Sequence, residues 1–132
     1  MRDDHEPAGR VLVVDDNDDI RSLVEFKLVQ AGYTVATARD GPDALEQARR
    51  WRPDLLVLDV AMPGMTGYDV CRELRGDPAT AEVPVIMLTS RDSTDFSTLG
   101  YLAGADLYLT KPIVLRTLLE NVEALLARSP SG

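Results

Sequence analysis

Residues 53–67 read PDLLVLDVAMPGMTG, and this stretch decides the fold. Pro53 and Asp54 precede an apolar run over 55–58, which ends in a carboxylate, Asp59. An apolar run this short, bounded by turn residues, predicts a strand buried on both faces of a parallel sheet. A buried carboxylate must be paired, hydrogen-bonded or metal-bound, so Asp59 suggests chemistry at the carboxyl end of the strand. Taken alone, Asp59 fits equally well as a cap of the following turn, because aspartate is common in turns.

The size and charge of the chain narrow the function classes. Its 132 residues suit one compact domain, and 45% hydrophobic with 27% charged residues is ordinary for a globular protein. The formal charge of -8 argues against direct binding of nucleic acid or of an anionic membrane. An acidic cluster is suited instead to holding a divalent cation.

The expected compartment is the cytoplasm. The N-terminal residues MRDDHEPAGR are polar and lack the apolar core of a signal peptide. No apolar run approaches the roughly 20 residues needed to span a bilayer. The single cysteine, Cys71, fits a reducing compartment. We expect a disordered lead-in over 1–9, a folded domain over 10–127 and a flexible tail over 128–132.

Short apolar runs alternate with amphipathic stretches through the folded part. The runs predict strands over 11–14, 33–38, 55–59, 84–89 and 107–111. The amphipathic stretches predict five helices over 18–31, 41–51, 68–75, 96–103 and 115–126. In the first helix the stripe predicted to face the core contains Ile20, Leu23, Val24, Leu28 and Ala31. The second strand is more polar than the others, which indicates a sheet edge.

This alternation predicts an α/β fold with a doubly wound, five-stranded parallel sheet in the order 2-1-3-4-5. In such a sheet, ligands bind beyond the carboxyl ends of the strands. The residues at those ends are Asp15 and Asp16, Asp59, Thr89 and Lys111. Three clustered carboxylates repel one another and call for a cation, and all-oxygen ligands favour Mg²⁺. A carboxylate, a hard cation, an ammonium and a hydroxyl together suit a phosphoryl group.

At these residues the sequence resembles the receiver domains of two-component response regulators. The motifs are VLVVDDN over 11–17, LLVLDVAMPGMTG over 55–67, VIMLTS over 85–90 and GADLYLTKP over 104–112. Each is common alone, but four in this order and spacing are specific. The resemblance covers 10–127 and implies a flavodoxin-like fold.

The resemblance also implies roles for the acidic residues. Asp59 would accept a phosphoryl group from a histidine kinase or a histidine phosphotransfer protein. Asp15 and Asp16 would bind Mg²⁺, or Mn²⁺ as a substitute, together with Asp59. The backbone carbonyl of Ala61 would complete the metal site.

Further roles fall on the last two strands. Thr89 and Lys111 match the hydroxyl and ammonium that hold the phosphoryl oxygens, and Tyr108 matches an aromatic switch residue. The peptide bond before Pro112 is expected to be cis. Phosphorylation would change a partner-binding face formed by the 96–103 helix, the fifth strand and the last helix. A homodimer that forms on phosphorylation is a further implication.

Two positions depart from the family pattern. Ala61 stands where the family often has a polar side chain, and Arg91 lies two residues after Thr89. The resemblance implies that these positions tune hydrolysis of the aspartyl phosphate. A methyl side chain cannot position a water molecule, so we expect slow to moderate self-dephosphorylation.

Two other functions compete with a phosphorylation switch. A haloacid-dehalogenase-like phosphatase also uses a strand-end aspartate with Mg²⁺, but it needs a second acid two residues later, where this chain has Ala61. A phosphorylation-independent adaptor would need none of the strand-end residues. Wild-type behaviour of Asp59→Asn would support the adaptor, and turnover of a phosphomonoester would support the phosphatase.

Overall fold

The computed structural model describes residues 9–90 and 104–128, which contain five strands and four helices. Strands β1 to β5 span Arg10–Val14, Thr34–Ala38, Leu55–Asp59, Val85–Ser90 and Leu107–Lys111. Helices α1 to α4 span Asp18–Gln30, Gly41–Trp51, Gly67–Arg75 and Leu115–Arg128. The predicted 96–103 helix lies outside the described residues, as do the predicted lead-in over 1–8 and tail over 129–132. Arg128, which the sequence places in the tail, is the last residue of α4.

All five strands are parallel and form one sheet in the order β2-β1-β3-β4-β5. The predicted α/β class and strand order are therefore confirmed. β3 lies at the centre, where Leu55 pairs with Val11 of β1 and Leu56 pairs with Val85 of β4. The polar strand β2 is at one edge, as its sequence indicates. Since every strand runs the same way, all five carboxyl ends meet at one edge of the sheet.

Helices cover both faces of the sheet. Successive side chains of a strand point to opposite faces. In β3, Leu56 and Leu58 pack in a core with residues of α2 and α3, whereas Leu55 and Val57 pack in a core with residues of α1 and α4. All five residues of β3 are buried. Burial of one apolar side chain of this size contributes about 1.5–3 kcal/mol to the stability of the fold. The two cores therefore fix the strand that carries Asp59.

Three helices begin at the carboxyl edge of the sheet, each with a polar cap. Asn17 caps α1 by accepting a hydrogen bond from the N–H of Ile20, and Asp40 caps α2 in the same way. Thr66 starts α3 with a reciprocal pair of bonds, in which Asp69 also accepts from the Thr66 N–H. Such caps satisfy N–H groups that have no partner inside the helix. They therefore set where each chain segment turns back from the sheet.

The predicted inward stripe of α1 is wrong at two positions. Val24 and Leu28 are buried, but Leu23 is 50% exposed, and Ala31, which caps the end of the helix, is exposed as well. Each helical residue is rotated by about 100° from the one before it, so the residue next to Val24 points away from the sheet once Val24 and Leu28 face it. None of the described helices is both long enough and apolar enough to cross a membrane.

Arg75, at the end of α3, ties together the segments that lead into β4 and β5. Its guanidinium donates to the carbonyls of Gly104 (2.9 Å) and Val83 (2.7 Å) and to the carboxylate of Asp106 (3.1 Å). Asp106 also accepts the N–H of Val85 at 2.8 Å. The amino ends of the last two strands are thus fixed by one side chain.

Candidate functional site

The predicted strand-end residues converge at the carboxyl edge of the sheet. Asp15 directly follows β1, Asp59 is the last residue of β3, and Lys111 is the last residue of β5. Thr89 lies near the end of β4 and directly follows Leu88, the residue that pairs with Asp59. The parallel order β1-β3-β4-β5 therefore brings these side chains to one place, as the sequence predicts.

Asp15, Asp16 and Asp59 form a carboxylate cluster. Each offers one oxygen, and these three oxygens lie within 4.8 Å of one another. Asp15 and Asp59 are buried, with exposures of 1% and 3%, whereas Asp16 is exposed. The cluster thus has a dry inner side and an outer side open to solvent.

Lys111 is the cation that faces this cluster. Its Nζ lies 2.9 Å from Asp59 Oδ1 and 3.7 Å from Asp15 Oδ2. A hydrogen bond between an ammonium and a carboxylate is among the strong ones in proteins. One positive charge against three carboxylates still leaves the site negative, so the cluster suits a further cation.

Burial makes ionisation of the inner carboxylates costly. The pKa of Asp59 is raised, mainly by burial, although its hydrogen bond with Lys111 lowers it in part. The pKa of Asp15 is raised for the same main reason, and the backbone N–H of Asn17, 2.9 Å from Asp15 Oδ1, opposes the rise. Neighbouring aspartates add to both increases. A bound cation would relieve this cost, since opposite charge favours the ionised form.

Two buried side-chain oxygens of the described residues have no hydrogen-bond partner, namely Asp15 Oδ2 and Thr89 Oγ1. An unpaired buried polar atom costs about 1–3 kcal/mol. Asp15 Oδ2 is an anionic oxygen of the kind that Mg²⁺ prefers, and Thr89 Oγ1 has a hydroxyl proton to donate. The residues present therefore fit a divalent cation beside Asp15 and an oxyanion beside Thr89.

A short loop after β3 carries Ala61. Val60 donates its N–H to the Leu88 carbonyl at 3.0 Å, and its own carbonyl accepts from Gly67 at 2.9 Å. Gly67 is pressed so closely on β3 that a Cβ there would lie 2.4 Å from the carbonyl oxygen of Asp59. Glycine is required at this point to let α3 begin against the backbone of Asp59. Ala61 itself is exposed on the loop.

The remaining predicted site residues lie on or near β5, with one exception. Tyr108 is half-buried on β5, paired in register with Met87, and packs against the core next to α2 and α3. The Lys111–Pro112 peptide bond is cis. Arg91 lies outside the described residues.

One contact of the site was not predicted from the sequence. Arg21 of α1 donates to the backbone carbonyl of Asp15 at 2.8 Å and pairs with Asp18. Its spacing of three residues from Asp18 was the available signal, because side chains three apart share a helix face. Arg21 fixes the turn between β1 and α1 and adds positive charge near Asp15.

The comparisons with known proteins all point to one family. Residues 11–123 match the family model of the response regulator receiver domain. The chain is 47% identical over 122 residues to response regulator MprA of Mycobacterium leprae, covering 91% of this chain and 52% of that protein. It is 47% identical over 106 residues to response regulator PleD of Caulobacter vibrioides, covering 80% of this chain and 23% of that protein. The chain thus spans about half of the length of MprA and about a quarter of the length of PleD.

A solved structure gives the same result for the fold. Chemotaxis protein CheY4 of Vibrio cholerae superposes with a TM-score of 0.83 at 38% identity, over 88% of this chain and 97% of that one. The family match covers most of the chain, and the parallel sheet with acidic residues at its carboxyl edge agrees with it. This chain therefore belongs to the response regulator receiver domain family, whose members are the phosphoacceptors of two-component signalling systems.

Proposed function

We propose that Asp59 is the phosphoacceptor of this receiver and that its phosphorylation switches the affinity of a partner-binding face. The observation that carries the proposal is the setting of Asp59. Its buried carboxylate lies 2.9 Å from Lys111, inside a cluster of acidic oxygens, beside a buried hydroxyl of Thr89 that has no partner among the described residues. A carboxylate held in this way can attack an electrophile whose oxygens the neighbours neutralise.

The proposed donor is a phosphohistidine on a histidine kinase or a phosphotransfer protein. An Asp59 carboxylate oxygen forms a bond to phosphorus while the phosphorus–nitrogen bond to the donor breaks. The bonding pair stays on the imidazole nitrogen, which takes up a proton from solvent. Lys111 neutralises one phosphoryl oxygen and the Thr89 hydroxyl donates to another. Positioning and charge neutralisation of this kind supply most of the catalysis of phosphoryl transfer.

Mg²⁺, or Mn²⁺ in its place, is the proposed cofactor. Asp15, Asp16 and Asp59 would hold it through carboxylate oxygens, and Ala61 through its carbonyl. When bound, it neutralises charge that the phosphoryl group brings to the site. The unpaired buried oxygen of Asp15 supports this assignment. Within the same proposal the receiver catalyses its own phosphorylation and dephosphorylation.

The switch is proposed to run along β4 and β5. Thr89 would move toward the phosphoryl group, and the half-buried Tyr108 would turn inward behind it. The face that includes β5 and α4 would then change its affinity for an output partner. A homodimer formed on phosphorylation is one form that this output would take. The predicted 96–103 helix, which completes the face, lies outside the described residues.

The cellular setting follows from the family. We place the receiver in the cytoplasm, over residues 10–127, where a kinase can reach it. The single cysteine agrees with a reducing compartment, since Cys71 is a buried free thiol.

The deciding experiment is intact-protein mass spectrometry after incubation with acetyl phosphate. Wild-type protein is compared with and without Mg²⁺, beside Asp59→Asn and a control, Glu73→Gln, which removes an exposed charge on α3. We expect one phosphoryl adduct on the wild type and the control, only with Mg²⁺, and none on Asp59→Asn. An adduct that persists in Asp59→Asn would refute the assignment, and no adduct on the wild type would favour the adaptor.

A further inference from the structure

The loop after β3 rests against a glycine from another part of the chain. Gly41, the first residue of α2, is buried, and a Cβ built on it would lie 2.5 Å from Met65 Sδ and 2.7 Å from both Met65 Cβ and Cγ. Separations below about 3 Å do not occur between real side chains, so one partner would have to move. The contact involves the root of the Met65 side chain as well as its tip. A rotamer change of the tip alone therefore cannot make room.

Space is the reason for glycine at this position. Gly41 is helical and is not among the glycines with positive φ, so its backbone conformation is open to any residue. Alanine also favours a helix more than glycine does. Without the Met65 contact, alanine at position 41 would be the better residue for the fold.

The loop that Met65 belongs to is closed at both ends. The Val60 carbonyl accepts from Met62 at 3.2 Å and from Gly67 at 2.9 Å. Met62 is 5% exposed and anchors the loop in the core. Met65 lies between Met62 and Gly67, and its contact with Gly41 is a further restraint on this part of the loop. A shift of Met65 Cβ would be passed through residues 63 and 64 to Met62, which adjoins Ala61.

We propose that Gly41 is a positioning residue for the divalent-cation site: the space left by its missing Cβ seats Met65, and that seat fixes the Ala61 carbonyl relative to the carboxylate cluster. The inference rests on the proposed metal site. Gly41 touches neither the cation nor the phosphoryl group and acts through Met65. It links the start of α2 to the loop that completes the site.

The test is direct titration of Mg²⁺ into the metal-free protein by isothermal calorimetry, with no phosphoryl donor. The variants are Gly41→Ala, Met65→Gly and the double variant. Gly76→Ala is the matched control, because a Cβ there would meet only ordinary contacts at 3.7 Å. Thermal unfolding of each metal-free variant is measured alongside, since a merely structural role would change the melting temperature and leave Mg²⁺ affinity alone.

We expect Gly41→Ala to weaken Mg²⁺ binding by about tenfold or more, the scale seen when a residue supporting a metal ligand is changed. Met65→Gly in the same chain removes all three atoms that the new Cβ would meet, so the double variant is expected to bind as Met65→Gly does, and Gly76→Ala as the wild type does. Wild-type affinity in Gly41→Ala would overturn the inference while leaving the metal site intact. So would a double variant that binds as weakly as Gly41→Ala. If Gly41→Ala fails to fold, the double variant must fold and bind; its failure would also overturn the inference. A wild type that binds no Mg²⁺ would remove the proposed metal site and this inference together.

Discussion

Replacing Asp59 with asparagine is predicted to stabilise the metal-free protein. At an effective dielectric constant of about 20, two carboxylate oxygens at the 4.8 Å upper limit of the cluster repel by about 3.5 kcal/mol, whereas the Lys111–Asp59 pair at 2.9 Å attracts by about 5.7 kcal/mol. Asp59 meets two such repulsions, from Asp15 and Asp16, and solvent weakens the second because Asp16 is exposed. The charge terms therefore nearly cancel. Burial then decides the balance, because removing an ion from water costs several kcal/mol.

The expected gain for Asp59→Asn is about 1–3 kcal/mol at neutral pH, the size of an ordinary single-residue effect. Lys111 is not left without an anion in this variant, because Asp15 Oδ2 lies 3.7 Å from its Nζ. In a chain of this length that corresponds to a rise in Tm of roughly 4–12 °C. The sign with pH follows from the raised pKa of Asp59. Below the unfolded-state pKa both states are protonated and the charge penalty is absent. The penalty grows as the pH rises through the interval up to the folded-state pKa, so the advantage of Asp59→Asn is small in acid and full at neutral pH.

Urea unfolding followed by circular dichroism, in EDTA, measures this difference at neutral and at acidic pH. Glu73→Gln is the control for the loss of one exposed negative charge and is expected to change stability by less than about 0.5 kcal/mol. With Mg²⁺ added, the wild type should gain more stability than Asp59→Asn, because a cation that binds only the folded state stabilises it. Equal stability of wild type and Asp59→Asn without metal at neutral pH would refute the reasoning. So would a difference that does not depend on pH.

Three further predictions concern other parts of the chain. Arg75→Ala is expected to lose about 2–4 kcal/mol of unfolding free energy, because it removes the donor of the Gly104 and Val83 carbonyls and the cation beside Asp106. Arg72→Ala, at an exposed ion pair, should lose less than about 1 kcal/mol. Urea denaturation of both tests this, and equal losses would contradict it. Burial raises the pKa of the Cys71 thiol to about 11, so we expect a thiol-specific disulfide reagent at pH 8 to label the protein only in urea; rapid labelling of the native protein would contradict the burial. The aspartyl phosphate is predicted to decay over minutes to hours, because the methyl group of Ala61 positions no water; loss of the phosphoryl adduct by mass spectrometry measures this, and decay within seconds would show that Ala61 and Arg91 do not slow hydrolysis.

The sequence was sufficient to predict which side chains meet at the sheet edge. Asp15 and Asp59 each follow a buried apolar run and Lys111 ends the half-buried β5, and a parallel sheet places the carboxyl ends of its strands together. The convergence thus depends only on strand identity and order. Two sequence patterns predicted the strand order, namely the continuous apolar runs of the central strands and the polar character of β2 at the edge.

Contacts that depend on the direction of a side chain or on the close approach of two segments could not be predicted from the sequence. Leu23 follows the apolar spacing of α1, but the packing of Val24 and Leu28 on the sheet turns it outward. The contact of Gly41 with Met65 joins the start of α2 to the loop before α3. The distance between these two places is set by how α2 and α3 pack on one face of the sheet. No periodicity in the chain specifies such a distance. The same holds for the bond from Arg21 to the Asp15 carbonyl, which needs the actual course of the β1–α1 turn.

Two buried oxygens of the site that accept or donate no hydrogen bond within the described part of the chain connect its instability with its proposed function. Asp15 Oδ2 and Thr89 Oγ1 are both buried without a hydrogen-bond partner among the described residues, and the charge on Asp59 is itself unfavourable. In the proposed mechanism a cation would satisfy Asp15, and a phosphoryl oxygen would satisfy Thr89. Each binding step then removes a cost that the folded chain already carries. Because Thr89 lies on β4, beside β5 and Tyr108, satisfying its hydroxyl is the step that would convey phosphorylation from Asp59 to the partner-binding face.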